Sequence, residues 1–360
     1  MKLVYVLPKY DEGAGEHFVH IYKLLSELGK KVQLAVLIEK SKGLLPAVKH
    51  VEAVSSKSFV PRFFETFARL LALRLQGYDT FYVHYSFFGA VAASIITNFT
   101  GGKVFYWNCG LPHLYFKHLG QSGWLRSKIN DDWPLRVSLK MVDFLVTGTE
   151  RMKKYYHLEF GVPLKKILVV PNEIDLARFK GKHSVNKVPQ VLFVHRISER
   201  KGAHYIVPIA ERVLKKVKAN FVIAGEGPYL PVLQSEIRRK KLGKYVKTLG
   251  SVPNKEVMKL YSQSDVFLMP SDEEGFPRVL LEAMATGTPF VASDVGGVRD
   301  IVPSQDCVVD KGDIDGFASK VVQLLSNSKL RAKFSKLGLK QVKKYDLKKV
   351  VNILVKTLRA

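Results

Sequence analysis

The chain has 360 residues, 47% hydrophobic and 25% charged, an ordinary globular composition that is long for one domain and comfortable for two. Two widely separated cysteines, Cys109 and Cys307, exclude a cysteine-built metal or redox motif and fit a reducing compartment; no apolar run reaches the roughly 18 residues that cross a bilayer. The formal net charge of +25, with a pI near 9.8, is the anomaly, and it leaves open anionic surfaces, nucleic acid and phosphorylated substrates as partners.

The opening "MKLVYVLPKYDEGAGE" turns acidic too early for a secretory h-region and reads as a first strand, so a cytoplasmic protein is expected. After that strand, Gly13 and Gly15 permit close backbone approach just before a helix over 16–29, a usual place for an anion. A strand "VQLAVLI" follows, then a helix over 61–76. There Phe63, Phe64, Phe67, Leu70 and Leu71 follow helical spacing with Arg62 and Arg69 offset, compatible with an interfacial helix or with ordinary packing on a sheet. The strands "TFYVHY", with His84, and "KVFYWN" lead to "GLPHLYFKHLGQSGWLRSKINDDWPLR" (110–136). That is a long connection rich in aromatics and bases, among them Trp124 and Trp133. "FLVTGT" and "ILVVPN" complete a first strand series.

The polar, proline-containing stretch 169–190 separates this series from a second, "VLFVHRI", "NFVIAGEG", "VKTLGSV", "VFLMPS", "FVASD" and "CVVD". Helical patterns fall over 203–218, 228–242 and 313–327. Alternating strands and helices mean parallel sheets covered on both faces, so the expectation is an α/β protein of two Rossmann-like domains. The first spans 1–172, a linker 173–188, and the second 189–345, with a last helix at 346–358 able to join either.

Ligands of such sheets bind at the carboxyl ends of the strands. In the second domain those loops carry "HRISERKG", with Arg196, Lys201 and Gly202, the glycine turn "AGEGP", and "PSDEEGFPR", followed by a helix starting near Pro277 or Arg278. Arg196, Lys201, Glu274 and Glu282 are therefore expected on one rim. Two cations beside helix N-termini suit a diphosphate, and carboxylates suit the hydroxyl donors of sugar rings. A nucleotide sugar supplies both. Asp313-x-Asp315 formally matches a metal-binding DxD, but its place before a helix reads more simply as a cap.

Taken in order, "PNEIDLARF", "VHRISERKG", "AGEGP", "LGSVPNKEVMKLYSQSDVFLMPS" and "EGFPRVLLEAMATGTPFVASDVGG" make residues 167–310 resemble the retaining glycosyltransferases of glycosyltransferase family 4. The resemblance implies the GT-B fold, two Rossmann-like domains whose parallel sheets face across a cleft. It implies a nucleotide diphosphate sugar donor, UDP- or GDP-linked, and transfer of a hexose or N-acetylhexosamine without a metal or other cofactor. On that pattern Arg196 and Lys201 hold the diphosphate, Glu274 contacts the transferred sugar and Glu282 the ribose. Gly275, Phe276, Pro277 and Arg278 lie along phosphate and sugar, Val252 borders the base, and Gly13 and Gly15 sit on the first-domain side. Front-face displacement is the mechanism it implies, with the cations stabilising the leaving diphosphate.

Two departures stand out. Where the family often has a histidine in a His-Gly-like turn, this chain has Asn108 and Cys109, with His113 a few residues on as the candidate replacement; and Glu173 occupies the usual hinge glycine. The first half resembles the family in layout alone, so the acceptor is left as a glycan or a lipid-linked molecule. The aromatic stretches and basic charge allow peripheral contact with an anionic membrane. Nucleic-acid binding would account for the charge and not for the two glutamates, and is not expected. The alternatives are a sugar-nucleotide epimerase of the same fold and a degenerate transferase that binds without transferring.

Overall fold

A computed structural model describes residues 1–11, 19–42, 48–110, 132–179 and 187–359. Gly13, Gly15 and His113 lie outside the described residues, as does Trp124. The chain divides into two compact units, Met1–Glu173 with Leu347–Ala360, and Ile174–Asp346. Ile174 already belongs to the second unit, where its N–H donates to Tyr345 O at 2.9 Å.

The first unit is built on β1 (Lys2–Leu7), β2 (Tyr10–Asp11), β3 (Gln33–Ile38), β4 (Ser41–Lys42), β5 (Val51–Ala53), β6 (Thr80–His84), β7 (Lys103–Trp107), β8 (Phe144–Thr147) and β9 (Ile167–Val169). Seven of these form one parallel sheet in the order β5-β3-β1-β6-β7-β8-β9, and β2 pairs with β4 apart from it. In β1, Leu3, Val4, Tyr5 and Val6 are all fully buried, the continuous apolar run of a strand covered on both faces. The covering helices are α1 (Val19–Gly29), α2 (Phe59–Leu75), α3 (Phe87–Thr100), α4 (Trp133–Met141) and α5 (Glu150–Phe160). Helix α5 shows why its ends fall where they do. Thr149 accepts the Met152 N–H at 3.1 Å, and Gly161 takes φ +69° to close the last turn.

The second unit carries β10 (Gln190–Val194), β11 (Asn220–Ala224), β12 (Val246–Gly250), β13 (Val266–Met269), β14 (Phe290–Ser293) and β15 (Val308–Val309), all parallel in the order β12-β11-β10-β13-β14-β15. Its helices are α6 (Ile206–Leu214), α7 (Leu230–Arg239), α8 (Asn254–Ser262), α9 (Arg278–Ala285), α10 (Val298–Ile301), α11 (Ile314–Ser326) and α12 (Ser328–Val342). Asp313 caps α11 by accepting the Gly316 N–H at 2.8 Å, so the formal DxD match is a helix start.

The chain then returns to the first unit as α13 (Leu347–Arg359), which packs on α1. Leu347, Val350, Val351, Leu354, Val355 and Leu358 recur at helical spacing and are buried, while the lysines between them face outward. Each such side chain contributes roughly 1.5–3 kcal/mol by leaving water.

Both sheets reverse their strand order once, between β1 and β6 and between β10 and β13. In a parallel α/β sheet the crevice at the carboxyl ends of those two strands is where a ligand fits. The loop after β10 holds residues 195–205 and the loop after β13 holds 270–277, which places "HRISERKG" beside "PSDEEGFP" in the second unit.

Candidate functional site

The two loops are held together by backbone contacts that depend on glycine. Residues Glu199–Lys201 form a 3₁₀ turn that ends at Gly202, φ +74°. A Cβ at Gly202 would lie 1.9 Å from the carbonyl oxygen of Pro270, so neither the conformation nor the space admits a side chain. The Asp272 N–H donates to Arg200 O at 3.0 Å, tying the loops a second time. The buried Asp272 carboxylate also accepts from Tyr205 OH at 3.2 Å and lies 3.4 Å from Lys311 Nζ.

On this frame sits Glu274, itself buried. Its Oε1 receives Lys201 Nζ at 2.6 Å, His195 Nε2 at 2.9 Å and Ser271 Oγ at 3.0 Å. All three donors converge on Oε1, and among the described residues Oε2 makes no hydrogen bond. The His195 tautomer follows from its neighbours. Nδ1 accepts the Arg196 backbone N–H at 3.0 Å, so Nε2 carries the proton given to Glu274.

The electrostatics of the group follow from burial and proximity. Burial alone would raise the Glu274 pKa, but the Lys201 ammonium and then His195 overturn it and hold the carboxyl well below its ordinary range. For Lys201, burial lowers the pKa and Glu274 only partly restores it. Burial likewise lowers His195, and Lys201 beside it adds to that, which keeps the ring neutral. Lys201 and Glu274 form an ion pair at 2.6 Å, with a neutral imidazole beside it.

The remaining expected residues are placed around it unevenly. Arg196 follows His195 and is exposed, and its guanidinium forms no ion pair among the described residues. Phe276 is buried with its ring 5.7 Å from that of Tyr345, and Pro277 stands at the N-cap of α9. Gly275 O accepts the Gly297 N–H at 3.2 Å, and Arg278 opens the helix, half-buried. Glu282, half-buried one turn into α9, is linked by no hydrogen bond to the Glu274 group. Burial raises its pKa against the pull of Arg278 and of the Tyr261 hydroxyl. Val252 is half-buried next to Ser251, whose N–H donates to Glu226 Oε1 at 3.3 Å and closes "AGEGP" on the β12 end. Sequence reasoning missed His195 and Ser271, and the polarity of a histidine ending an apolar strand is the signal that would have drawn attention to the first.

Within the first unit, Asn108 is buried and fully engaged. Its Oδ1 accepts Tyr156 OH at 2.7 Å and the Gly110 N–H at 2.9 Å, so it serves as a bracket after β7. Cys109 is buried and its N–H donates to Tyr85 OH at 3.3 Å. Glu173 is buried too and raises the pKa of Tyr5, second to burial. No group of three or more His, Cys, Asp or Glu suited to a metal ion occurs among the described residues, and no described helix is long and apolar enough to cross a membrane.

Comparison with known proteins gives the same assignment from two sides. The family described as "Glycosyl transferases group 1" matches residues 176–341, and that described as "Glycosyltransferase Family 4" matches residues 12–178. Among curated relatives, the chain is 29% identical over 217 residues to a glycogen synthase of Mycobacterium tuberculosis, covering 57% of this chain and 51% of that protein. It is 26% identical over 207 residues to N-acetyl-alpha-D-glucosaminyl L-malate synthase of Bacillus anthracis, covering 54% of each. The chain thus spans about half the length of the curated relatives it matches. Among solved structures, HepE of Anabaena in complex with UDP superposes with a TM-score of 0.78 over 100% of both chains, at 17% identity. Sucrose-phosphate synthase of Thermosynechococcus elongatus does so at 0.78, with 17% identity, over 100% of this chain and 98% of that one.

Proposed function

The chain belongs to the group 1 glycosyltransferases of glycosyltransferase family 4, with the GT-B fold, and from that membership we propose that it is a retaining, metal-independent transferase using a nucleotide diphosphate sugar. The observation that carries the proposal is the arrangement of Glu274. Three donors fix its Oε1 and, among the described residues, leave Oε2 without a hydrogen bond, at the switch point of a parallel sheet whose neighbouring loop carries an exposed Arg196. The carboxylate oxygen left open, Oε2, is an acceptor for the hydroxyls of a sugar ring. An exposed guanidinium on the neighbouring loop is a partner for phosphate.

On this reading Arg196 and Lys201 offset the charge that develops on the departing nucleoside diphosphate, and the first turn of α9 adds its free backbone donors. Lys201 contributes through its ammonium, already desolvated, so its field acts at low dielectric. No side chain needs to act as a base if the leaving phosphate takes the acceptor proton. The neutral His195, its Nε2–H committed to Glu274, fits a positioning role. Relatives of the fold solved with UDP and with UDP-glucose support a uridine nucleotide as the first donor to test.

The first unit is assigned the acceptor, a glycan or lipid-linked molecule. Peripheral contact with an anionic membrane is supported by a run of exposed apolar side chains near the starts of α2 and α4. Phe59, Phe64 and Trp133 are each more than half exposed, and Phe59 and Trp133 are joined through the rings of Phe88 and Phe87. His113 is kept as the acceptor-side candidate and His113→Ala is its test.

Glu274→Gln and Lys201→Ala, each with an unchanged circular-dichroism spectrum, are expected to abolish sugar transfer to a membrane-extract acceptor. Full transfer by either variant would reject the site. Donor hydrolysis and transfer both absent from the wild type, with donor still bound, would favour a protein that binds without transferring.

A further inference from the structure

The first unit holds a second arrangement at its own switch point, where β6 ends. His84 closes the strand, and Tyr85 follows with φ +55°, the left-handed region that non-glycine side chains rarely adopt. Glycine or asparagine would sit there with little strain. The chain instead places a tyrosine and leaves it 43% exposed, which is unexpected of a ring used for packing alone.

The residue is held at its backbone and at the tip of its ring. The Tyr85 N–H donates to Trp107 O at 3.1 Å, and its hydroxyl accepts the Cys109 N–H at 3.3 Å. It stands T-shaped to Trp107, 4.9 Å between centroids and 86° between planes, and the His84 ring lies 5.1 Å away. Behind these, His84 stacks on the buried Trp107 at 4.5 Å and 19°, and its Nδ1 shares a hydrogen bond of 2.8 Å with the fully buried Tyr5 hydroxyl. Ser86 continues the anchoring. Its hydroxyl donates to the buried Glu39 carboxylate and accepts the Gly89 N–H at 2.8 Å. An exposed aromatic ring is thus fixed on a buttress of three others, in a backbone conformation the surroundings enforce. Strain kept at the mouth of a sheet is a mark of function.

We propose that Tyr85 is the stacking platform for a pyranose ring of the acceptor, an assignment that rests on the transferase reading above. The C–H bonds of one face of a pyranose carry partial positive charge and little hydration, which suits the negative face of an aromatic ring. The rigid hold on Tyr85 lowers the entropy lost on binding. A platform of this kind orients a sugar without choosing its hydroxyls, so it serves a glycan or the sugar of a lipid-linked acceptor equally.

The test uses the full chain saturated with UDP, with methyl β-D-glucopyranoside and methyl N-acetyl-β-D-glucosaminide as probes in saturation-transfer NMR. The expected result is transfer concentrated on the protons of one ring face, H1, H3 and H5, for at least one probe. Tyr85→Asn suits the left-handed backbone and so keeps the fold, and it should lose at least tenfold in affinity. Tyr85→Phe should stay within about threefold. Equal binding by wild type and Tyr85→Asn, or transfer to neither probe, would overturn the proposal. UDP binding is recorded in the same samples, so loss of UDP binding throughout would count against the transferase reading, whereas intact UDP binding without one-face transfer counts against the platform alone.

Discussion

Lys201 Nζ lies 2.6 Å from Glu274 Oε1, and both side chains are buried, at 9% and 6% exposure. A pair so placed is worth little compared with two well-packed apolar residues, yet breaking it from one side is costly because it strands a charge. Its retention at a switch point, where a ligand is expected, accords with a functional reason rather than a stability one.

The first prediction concerns that coupling. Lys201→Met leaves Glu274 with His195 and Ser271 only and should destabilise the chain by roughly 3 kcal/mol. Glu274→Gln should cost less, because a buried lysine can release its proton. The double variant should recover part of the loss. Urea unfolding of all four proteins checks this, and simple additivity would contradict it.

A second prediction is the response to acid. Glu274 and His195 both have folded pKa values below their unfolded ones, so the unfolded chain binds more protons as pH falls. Their stabilisation is present in full above about pH 6.5, the ordinary histidine value, and declines below it, first through His195 and then, below about pH 4.5, through Glu274. The unfolding midpoint should fall from pH 7 toward pH 5, and His195→Asn should flatten that part of the curve. An unchanged slope in the variant would contradict the assignment.

Glu39 predicts the opposite sign. Burial pushes its carboxyl up to about 7 despite hydrogen bonds from Ser86 and the Gly89 N–H. The favourable protonated form is fully available below about pH 4.5, and the benefit is lost as pH rises through 7. Glu39→Gln should therefore be more stable than the wild type at pH 8 relative to pH 5, by on the order of 3 kcal/mol in the difference. Parallel unfolding curves at the two pH values would count against a buried, proton-binding Glu39.

The glycine hinge of the site gives a fourth. Gly202→Ala must move the Pro270 carbonyl and adopt φ +74°, so a loss of roughly 2–4 kcal/mol is expected together with loss of donor binding. Gly243→Ala, where a Cβ meets nothing within 4 Å, is the control.

The two-unit architecture and the separate loops that bear Lys201 and Glu274 were legible because both rest on local sequence. Alternation of apolar strands with helices reports the parallel sheets, and the position of Arg196, Lys201 and Glu274 just after apolar runs reports loops at strand ends. Helix α3 was not legible. "FFGAVAASIITNFT" buries Phe88, Gly89, Ala90, Ala92, Ala93, Ser94, Ile96 and Thr97, so no polar face marks its period. Strands β2, β4 and β5 are two or three residues long and exist through their partners, which no window of sequence contains. His195 joins Glu274 across 79 positions, a contact that depends on β10 and β13 being neighbours. The strain at Tyr85 likewise depends on Trp107 and Cys109.

The most direct measurement is calorimetric titration of the wild type, Lys201→Ala and Glu274→Gln with UDP-glucose, UDP-N-acetylglucosamine and GDP-mannose, with and without EDTA. The account predicts saturable binding of one donor by the wild type, indifferent to EDTA. It predicts at least a hundredfold weaker binding in Lys201→Ala, and in Glu274→Gln a loss confined to the sugar, with the free nucleoside diphosphate still bound. Equal donor affinity in all three proteins, or binding that EDTA abolishes, would contradict it.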